Sequence, residues 1–564
     1  MSNIYWQEAE RIGLYLADLL QSDGIIDPVY DVVLPHSYTT DFFAWLAALI
    51  FVDSGDEVWL MRAKQALRAT LKFREMSDSY IGHNQQAEFH WEFKNLALLQ
   101  VYQLVGDVLD EAEREEILLA CRSWEHLFID SANWVGMRVA IYYWRYLLFK
   151  EPADKWRYLL ELNLLLEIQT VEGFFPDKPD SYSFQYHAYV LALLALLLDE
   201  VDDERVRESF LRGVAFIVRF IDPDGDFNYY GRGQRQLFGY GSLLYALSKA
   251  IPLLASSSQR KWYQACYQRM FGFVTSFRRS KDGLYPIKDG LYPIVLHDES
   301  EKLGWYMYNV AGDYLAFYGV FLCLSSVGIR PDESLLAVEW PAEVYVYDDL
   351  GLTVVSQPGF FAAFSIQSRE LAEPLGLIHL WPAGESCFGG VKNYLSQDDY
   401  VYKNNIISPS LDGEAILWGF HGEWQITESA IVILWRNKAS VFQQTYCWDT
   451  TGFWLEQKLE AGIDQKSIIK PIRLPIQGEI FAEVDLIEEG VVASAAGYKQ
   501  LLGTKPILLT EMHNIKVKWL TYSQLKKVPV YRFEPQTGSH LAAYKRVKQK
   551  LYKLLWVITV KLSK

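Results

Sequence analysis

Three short clusters in the first half of the chain gather groups able to bind an anion or move a proton. They are Asn133-Trp134, Tyr186-His187-Ala188-Tyr189 and Tyr230-Gly231-Arg232-Gly233-Gln234-Arg235. Together they offer an amide, an imidazole, phenols and guanidiniums, without an obvious pair of catalytic carboxylates. This set suits removal of a proton beside a sugar carboxylate. An ionised carboxylate resists taking up more charge, so neutralising donors are needed before an enolate-like transition state can form. Asn133 can donate without introducing a base, and Arg232 and Arg235 bring fixed charge and forked hydrogen bonds. His187 can donate to the carboxylate or accept the proton. A tyrosine beside such cations ionises more readily, and it can take the proton or protonate the leaving oxygen. Tyr186 is the first choice for this acid and Tyr189 the second.

Each residue also has a structural reading. Asn133 equally suits the N-cap of a helix that includes Trp134. Tyr189 suits core packing. His187 precedes the apolar run Val190-Leu191-Ala192-Leu193-Leu194 and reads alternatively as a core histidine with satisfied nitrogens. Arg232 between two glycines is harder to explain by packing. Secondary candidates for contact with a ligand are His83, His90, Glu92, Trp134, Tyr230 and Arg235, with His379 from the second half of the chain. The alternative for His379 is an ordinary strand residue. His90-Trp91-Glu92 lacks a second histidine at helical spacing, so it is not a zinc pattern. No metal and no cofactor is expected.

The elements that must carry these groups fall into two regions. Up to about residue 325 the apolar spacing is helical, with about twelve candidate helices separated by turn signals such as Ser54-Gly55-Asp56 and Asp222-Pro223-Asp224-Gly225. No solenoid repeat appears, and short connections favour antiparallel hairpins closing into a ring. From about residue 335 alternating patterns such as Val344-Tyr345-Val346-Tyr347 and Leu352-Thr353-Val354-Val355 read as strands. The expected class is therefore α+β and multidomain. An α/α toroid (a complete or incomplete double ring of helical hairpins) spans 1–335 and an antiparallel β-sandwich spans 336–543. Residues 544–564 form a basic tail or last strand. A tandem repeat, Lys281–Ile287 and Lys288–Ile294, lies between the clusters and the sandwich and suggests no function.

Composition sets the outer limits. The chain has 564 residues, enough for two large domains. A net charge of −16 argues against nucleic acid as a partner, while a local cationic pocket could still hold an anionic sugar. The 19 Trp and 36 Tyr suit both packing and stacking on sugar rings. Five scattered cysteines show neither a disulfide framework nor a zinc site. No secretion signal and no membrane-spanning run is visible, so a cytoplasmic location is expected. The basic tail, with Lys545, Arg546, Lys548, Lys550 and Lys553, offers peripheral membrane contact only as a minor alternative.

The layout resembles the polysaccharide lyases of the heparinase II/III, alginate-lyase and chondroitin-lyase type. Asn133-Trp134 looks like the Asn-Trp stretch supplying a carboxylate-binding amide. Gly173-Phe174-Phe175-Pro176-Asp177 with Tyr186-His187 looks like the glycine-rich turn and Tyr-His pair of heparinase-like lyases. Gly231-Arg232-Gly233-Gln234-Arg235 looks like a cationic Gly-Arg segment. Tyr189 lies closer to the histidine than the tyrosine of chondroitin-type lyases. The resemblance implies a metal-independent lyase cleaving an acidic, uronate-containing polysaccharide by β-elimination. Two other functions compete. One is a glycoside hydrolase using paired carboxylates on the same scaffold. The other is a non-catalytic glycan-binding protein of a polysaccharide assembly system.

Overall fold

The computed structural model describes residues 3–22, 24–25, 39–80, 91–123, 131–178, 181–231, 233, 236–276, 311–367, 375–382, 388–389, 410–411, 414–415, 421–436, 440–449, 452–461, 465–468, 472–475, 490–493, 507–511 and 517–518. His83, His90, Arg232, Arg235, the tandem repeat and the basic tail lie outside them.

Twelve α-helices are present among the described residues. In chain order they are α1 (Ile4–Leu19), α2 (Thr39–Ser54), α3 (Glu57–Tyr80), α4 (Trp91–Val105), α5 (Glu111–Arg122) and α6 (Ala132–Phe149). Then come α7 (Pro152–Ile168), α8 (Phe184–Leu197), α9 (Glu204–Val218), α10 (Leu237–Ala250), α11 (Ser257–Ser276) and α12 (Ala311–Ser325). The even-numbered helices pack side by side in sequence, and α12 returns to pack on α2, so six helices close a ring. Each odd-numbered helix lies outside against its even neighbour. Burial follows from this placement. All 14 residues of α8 are buried, because an inner helix meets protein on every side and has no polar face. Outer α9 instead buries one stripe, including Val206, Phe210, Gly213, Val214 and Ile217.

The closure is aromatic. Phe42 of α2 stacks on Phe317 of α12 with centroids 3.6 Å apart. Phe93 of α4 contacts Phe42, Phe317, Trp134 of α6 and Tyr189 of α8. Phe238 of α10 meets Tyr189 and Phe317. One ring from each inner helix thus joins a single collar, and each lies within the first two turns of its helix. The six inner helices therefore present their N-terminal ends together.

The strands follow the helices, apart from a small hairpin of β1 (Leu20–Gln21) and β2 (Gly24–Ile25). An antiparallel meander contains β3 (Val344–Tyr347), β4 (Leu352–Gln357), β5 (Phe360–Ser365), β6 (Gly376–Pro382) and β7 (Phe388–Gly389). Short strands β8 (Ser410–Leu411) and β9 (Glu414–Ala415) pair with each other. A second antiparallel sheet holds β10 (His421–Ile426), β11 (Ala430–Arg436), β12 (Ser440–Asp449), β13 (Gly452–Ala461), β14 (Gln465–Ile468) and β15 (Ile472–Pro475).

Strand β5 is buried along its whole length, because it faces protein on both sides. Phe360 and Phe364 turn toward Trp448 and Tyr446 of β12. Ser365, of opposite parity, turns toward the helices, where its hydroxyl meets that of Tyr230. Tyr347 of β3 inserts between Phe216 and Phe220 of the α9 region, and its hydroxyl accepts from Arg219 at 3.0 Å. Trp340 Nε1 donates to Ile221 O at 3.1 Å. The first sheet is thus docked directly on the helical ring.

Candidate functional site

Asn133-Trp134, the start of α8 and the pair Tyr230-Gly231 lie near the N-terminal ends of consecutive inner helices and are linked through backbone. Ala132 N, at the start of α6, donates to Asp177 O at 2.9 Å. The turn ending at Asp177 is braced by α8, since Phe175 N donates to His187 Nδ1 at 3.0 Å. Ser183, the N-cap of α8, forms a β-bridge with Gly231. Phe184 N donates to Tyr230 O at 3.1 Å. Asn133, the 173–177 turn, Tyr186 and the segment entering α10 therefore form one continuous band around the mouth of the ring.

Asn133 is the second residue of α6 and Ser131 holds the cap position, so the N-cap reading does not describe it. The residue is 2% exposed and its Oδ1 has no hydrogen-bond partner among the described residues. Such an orphaned buried atom costs about 1–3 kcal/mol unless something meets it. Trp134 is half-buried against the core, its ring 5.4 Å from Phe93. Tyr186 lies in the first turn of α8, 8% exposed, packed edge-on against Phe238.

His187 and Tyr189 differ from the sequence expectation. His187 is fully buried. Its Nδ1 accepts from Phe175 N and its Nε2–H donates to Gly213 O at 3.1 Å. Burial lowers its pKa from 6.5 to about 3, against a smaller opposing pull from Gly213. Both nitrogens are spent on backbone, so the structural alternative fits His187, and neither nitrogen is left for a substrate. The Tyr189 phenol is buried inside the aromatic collar and its hydroxyl has no partner among the described residues. Burial raises its pKa well above the usual value, which disfavours a phenolate there. Residue 189 points into the core, where its ring packs with Phe93, Phe238 and Phe317.

The segment before α10 is sterically locked. Gly231 has φ +80°, and a Cβ there would lie 1.9 Å from Tyr182 O. Beneath it Gln185 Nε2 donates to Gln236 Oε1 at 2.7 Å, and Asn228 Nδ2 donates to Gln185 Oε1 at 3.2 Å. Tyr230 is fully buried and its hydroxyl meets Ser365 Oγ and Gln367 O. Its hydroxyl is engaged by the sheet side and its ring packs on Phe184 of α8, which moves it from ligand contact to support.

Glu92, in the first turn of α4, is fully buried and contributes to the field on Arg138, which is paired with Glu161 at 3.1 Å. His379 is also fully buried. Its Nε2 lies 2.8 Å from Asp222 Oδ2, so it stands behind the mouth and does not line it. Burial raises the Asp222 carboxyl above the ordinary carboxylate range, and the hydrogen bond from His379 pulls it partly back. Asp222, Asp226 and His379 place ligand atoms within 4.8 Å of one another, a donor set suited to a divalent ion.

One feature of the mouth escaped sequence reasoning. The first three inner helices open on a polar residue followed by a collar aromatic: Asp41-Phe42, Glu92-Phe93 and Asn133-Trp134. Asp41 was overlooked; it is buried, with Oδ1 accepting from Thr70 at 2.6 Å. That recurring dipeptide was the available signal. Electrostatically, six helix N-termini each carry about half a positive charge, which buried Asp41, Glu92 and Asp177 at the same end partly offset.

No protein-family model matches this chain, and no curated protein matches it. Solved structures with partial likeness include the α-1,6-mannanase of a Salegentibacter species, with 12% identity, a TM-score of 0.43, and coverage of 57% of this chain and 98% of that one. An unsaturated glucuronyl hydrolase of Streptococcus agalactiae shows 12% identity and a TM-score of 0.42 over 57% of this chain and 90% of its own. A cellobiose 2-epimerase of Bacillus thermoamylovorans shows 12% identity and a TM-score of 0.41 over 57% and 99%.

Proposed function

We propose that this chain is a carbohydrate-active enzyme working at the N-terminal mouth of the helical ring. In this reading it cleaves an acidic, uronate-containing polysaccharide by β-elimination, with the two antiparallel sheets stacked as a β-sandwich flanking the mouth. The observation that supports it most is Asn133. Its amide is nearly buried with Oδ1 unmatched, at the end of the ring where helix dipoles favour a carboxylate. The amide Nδ2–H donates to the sugar carboxylate, its Oδ1 accepts from a sugar hydroxyl, and the field of the helix ends stabilises the charge developing on the carboxylate. A base removes the C5 proton, its electrons form the C4–C5 double bond, and the C4–O4 bond breaks. The leaving oxygen then takes a proton. Tyr186, the tyrosine of the cluster with some exposure, carries the proton transfer. Arg232 and Arg235 keep the cationic roles their sequence suggests. His187 and Tyr189 are scaffold in this reading.

A second reading, hydrolysis by two carboxylates, is favoured by the acids at the same end: Asp41, Glu92 and Asp177 are all buried there. One experiment separates the two. The protein is incubated with a panel of uronate and neutral polymers, and products are followed by ultraviolet absorbance and mass. An unsaturated product supports elimination, with Tyr186→Phe expected to lower turnover by about a hundredfold. Water-added, saturated products support hydrolysis. Absence of both binding and turnover across the panel rejects the site.

A further inference from the structure

The loop between α9 and α10 is gripped from two sides. Asp222 Oδ1 accepts the backbone N–H groups of Asp224, Gly225 and Asp226 at 2.9, 2.8 and 2.9 Å. A single carboxylate oxygen thus shapes the turn. Its other oxygen faces β6, where the His379 Nε2–H donates at 2.8 Å. The imidazole lies flat on Tyr229, with centroids 4.0 Å apart and planes within 5°. Asp226 Oδ1 accepts from Tyr240 of α10 at 2.6 Å and from Asn228 N at 3.1 Å. The chain then reaches Tyr230, hydrogen-bonded to β5, and Gly231, bridged to Ser183 at the start of α8.

We infer that His379 is a positioning residue. Acting through Asp222, it fixes the 222–231 loop and, through the bridge at Gly231, the first turn of α8 that carries Tyr186. The sheet is then a working part of the mouth. This inference rests on the mouth being the active site, but its structural half can be tested alone. Packing against Tyr229 needs only a flat ring, whereas orienting Asp222 needs a donor at the place of Nε2. His379→Phe keeps the ring and loses the donor; His379→Gln keeps a donor and loses the ring.

The experiment is amide hydrogen exchange on the full chain, paired with kinetics on any polymer that is turned over. His379→Phe is expected to lose about tenfold or more of the protection in peptides spanning 222–231 and the start of α8, with α2 and α4 unchanged. His379→Gln is expected to retain most of it. In kinetics, His379→Phe lowers kcat by about tenfold with KM nearly constant, and His379→Gln restores much of the loss. Wild-type exchange in the loop of His379→Phe overturns the inference. So does a loss of protection spread evenly over the helices, which would make His379 a stability residue only. If exchange behaves as expected while wild-type protein processes no carbohydrate, the positioning of the loop stands and the carbohydrate reading falls.

Discussion

Asn133 and His187 show how two polar side chains in similar sequence settings take opposite parts. His187 meets two backbone groups and is complete. Asn133 keeps an unmatched oxygen. Truncating an already unsatisfied buried group should cost little stability and can even gain some. Asn133→Ala is therefore expected to melt at or slightly above the wild-type temperature while losing at least about tenfold in turnover; calorimetry and kinetics on one preparation check both halves. His187 gives a pH prediction. The unfolded ring takes a proton near 6.5, whereas burial holds the folded ring near 3. Between those values the unfolded state binds more protons, so stability falls as pH drops below about 6.5. At pH 4 the loss from this residue is roughly 3 kcal/mol. Urea unfolding at pH 7 and pH 4 should show a steeper fall for wild type than for His187→Gln. Equal slopes would contradict the depressed value.

The elements matter through their first turns. Helix α6 begins at Ala132, about two turns before the unbroken apolar run that opens at Val139. Its opening turns interleave buried Val135, Met137 and Val139 with polar Asn133 and Arg138 and with Gly136, which lies against Leu193 of α8, so the apolar pattern is broken there. Helix α4 likewise starts at Trp91 where the apolar run begins at Leu96. Site residues therefore hid in the stretches where a periodicity argument is weakest. The segment joining α9 to α10 depends on backbone freedom. Gly231→Ala would bring Cβ to 1.9 Å from Tyr182 O at a φ of +80°. It is expected to destabilise by about 3 kcal/mol or more and to weaken binding at the mouth, measured by thermal unfolding and ligand titration.

At the scale of the molecule, closure of the ring is the dominant long-range event. Phe317 on α12 must find Phe42 on α2 and Phe93 on α4, far apart in the chain. Phe317→Ala removes the shared wall of the collar and is expected to cost about 3–5 kcal/mol, read from urea unfolding. A variant as stable as wild type would mean that the seam is held elsewhere. Docking of the sheet adds a second long-range seam, with Tyr347 seated between Phe216 and Phe220.

The order of the twelve helices and the change to strands after residue 335 were legible in the sequence, because burial period is a local property of the chain. Convergence of the three clusters was an expectation drawn from their order, and Arg232 and Arg235 lie outside the described residues. Which polar groups remain available at the mouth was decided only by the tertiary structure. The nitrogens of His187 are spent on Phe175 and Gly213, and Nε2 of His379 is spent on Asp222. Hydrogen-bond partners distant in sequence determine whether a buried polar group is satisfied or left over, and no spacing within one segment encodes them.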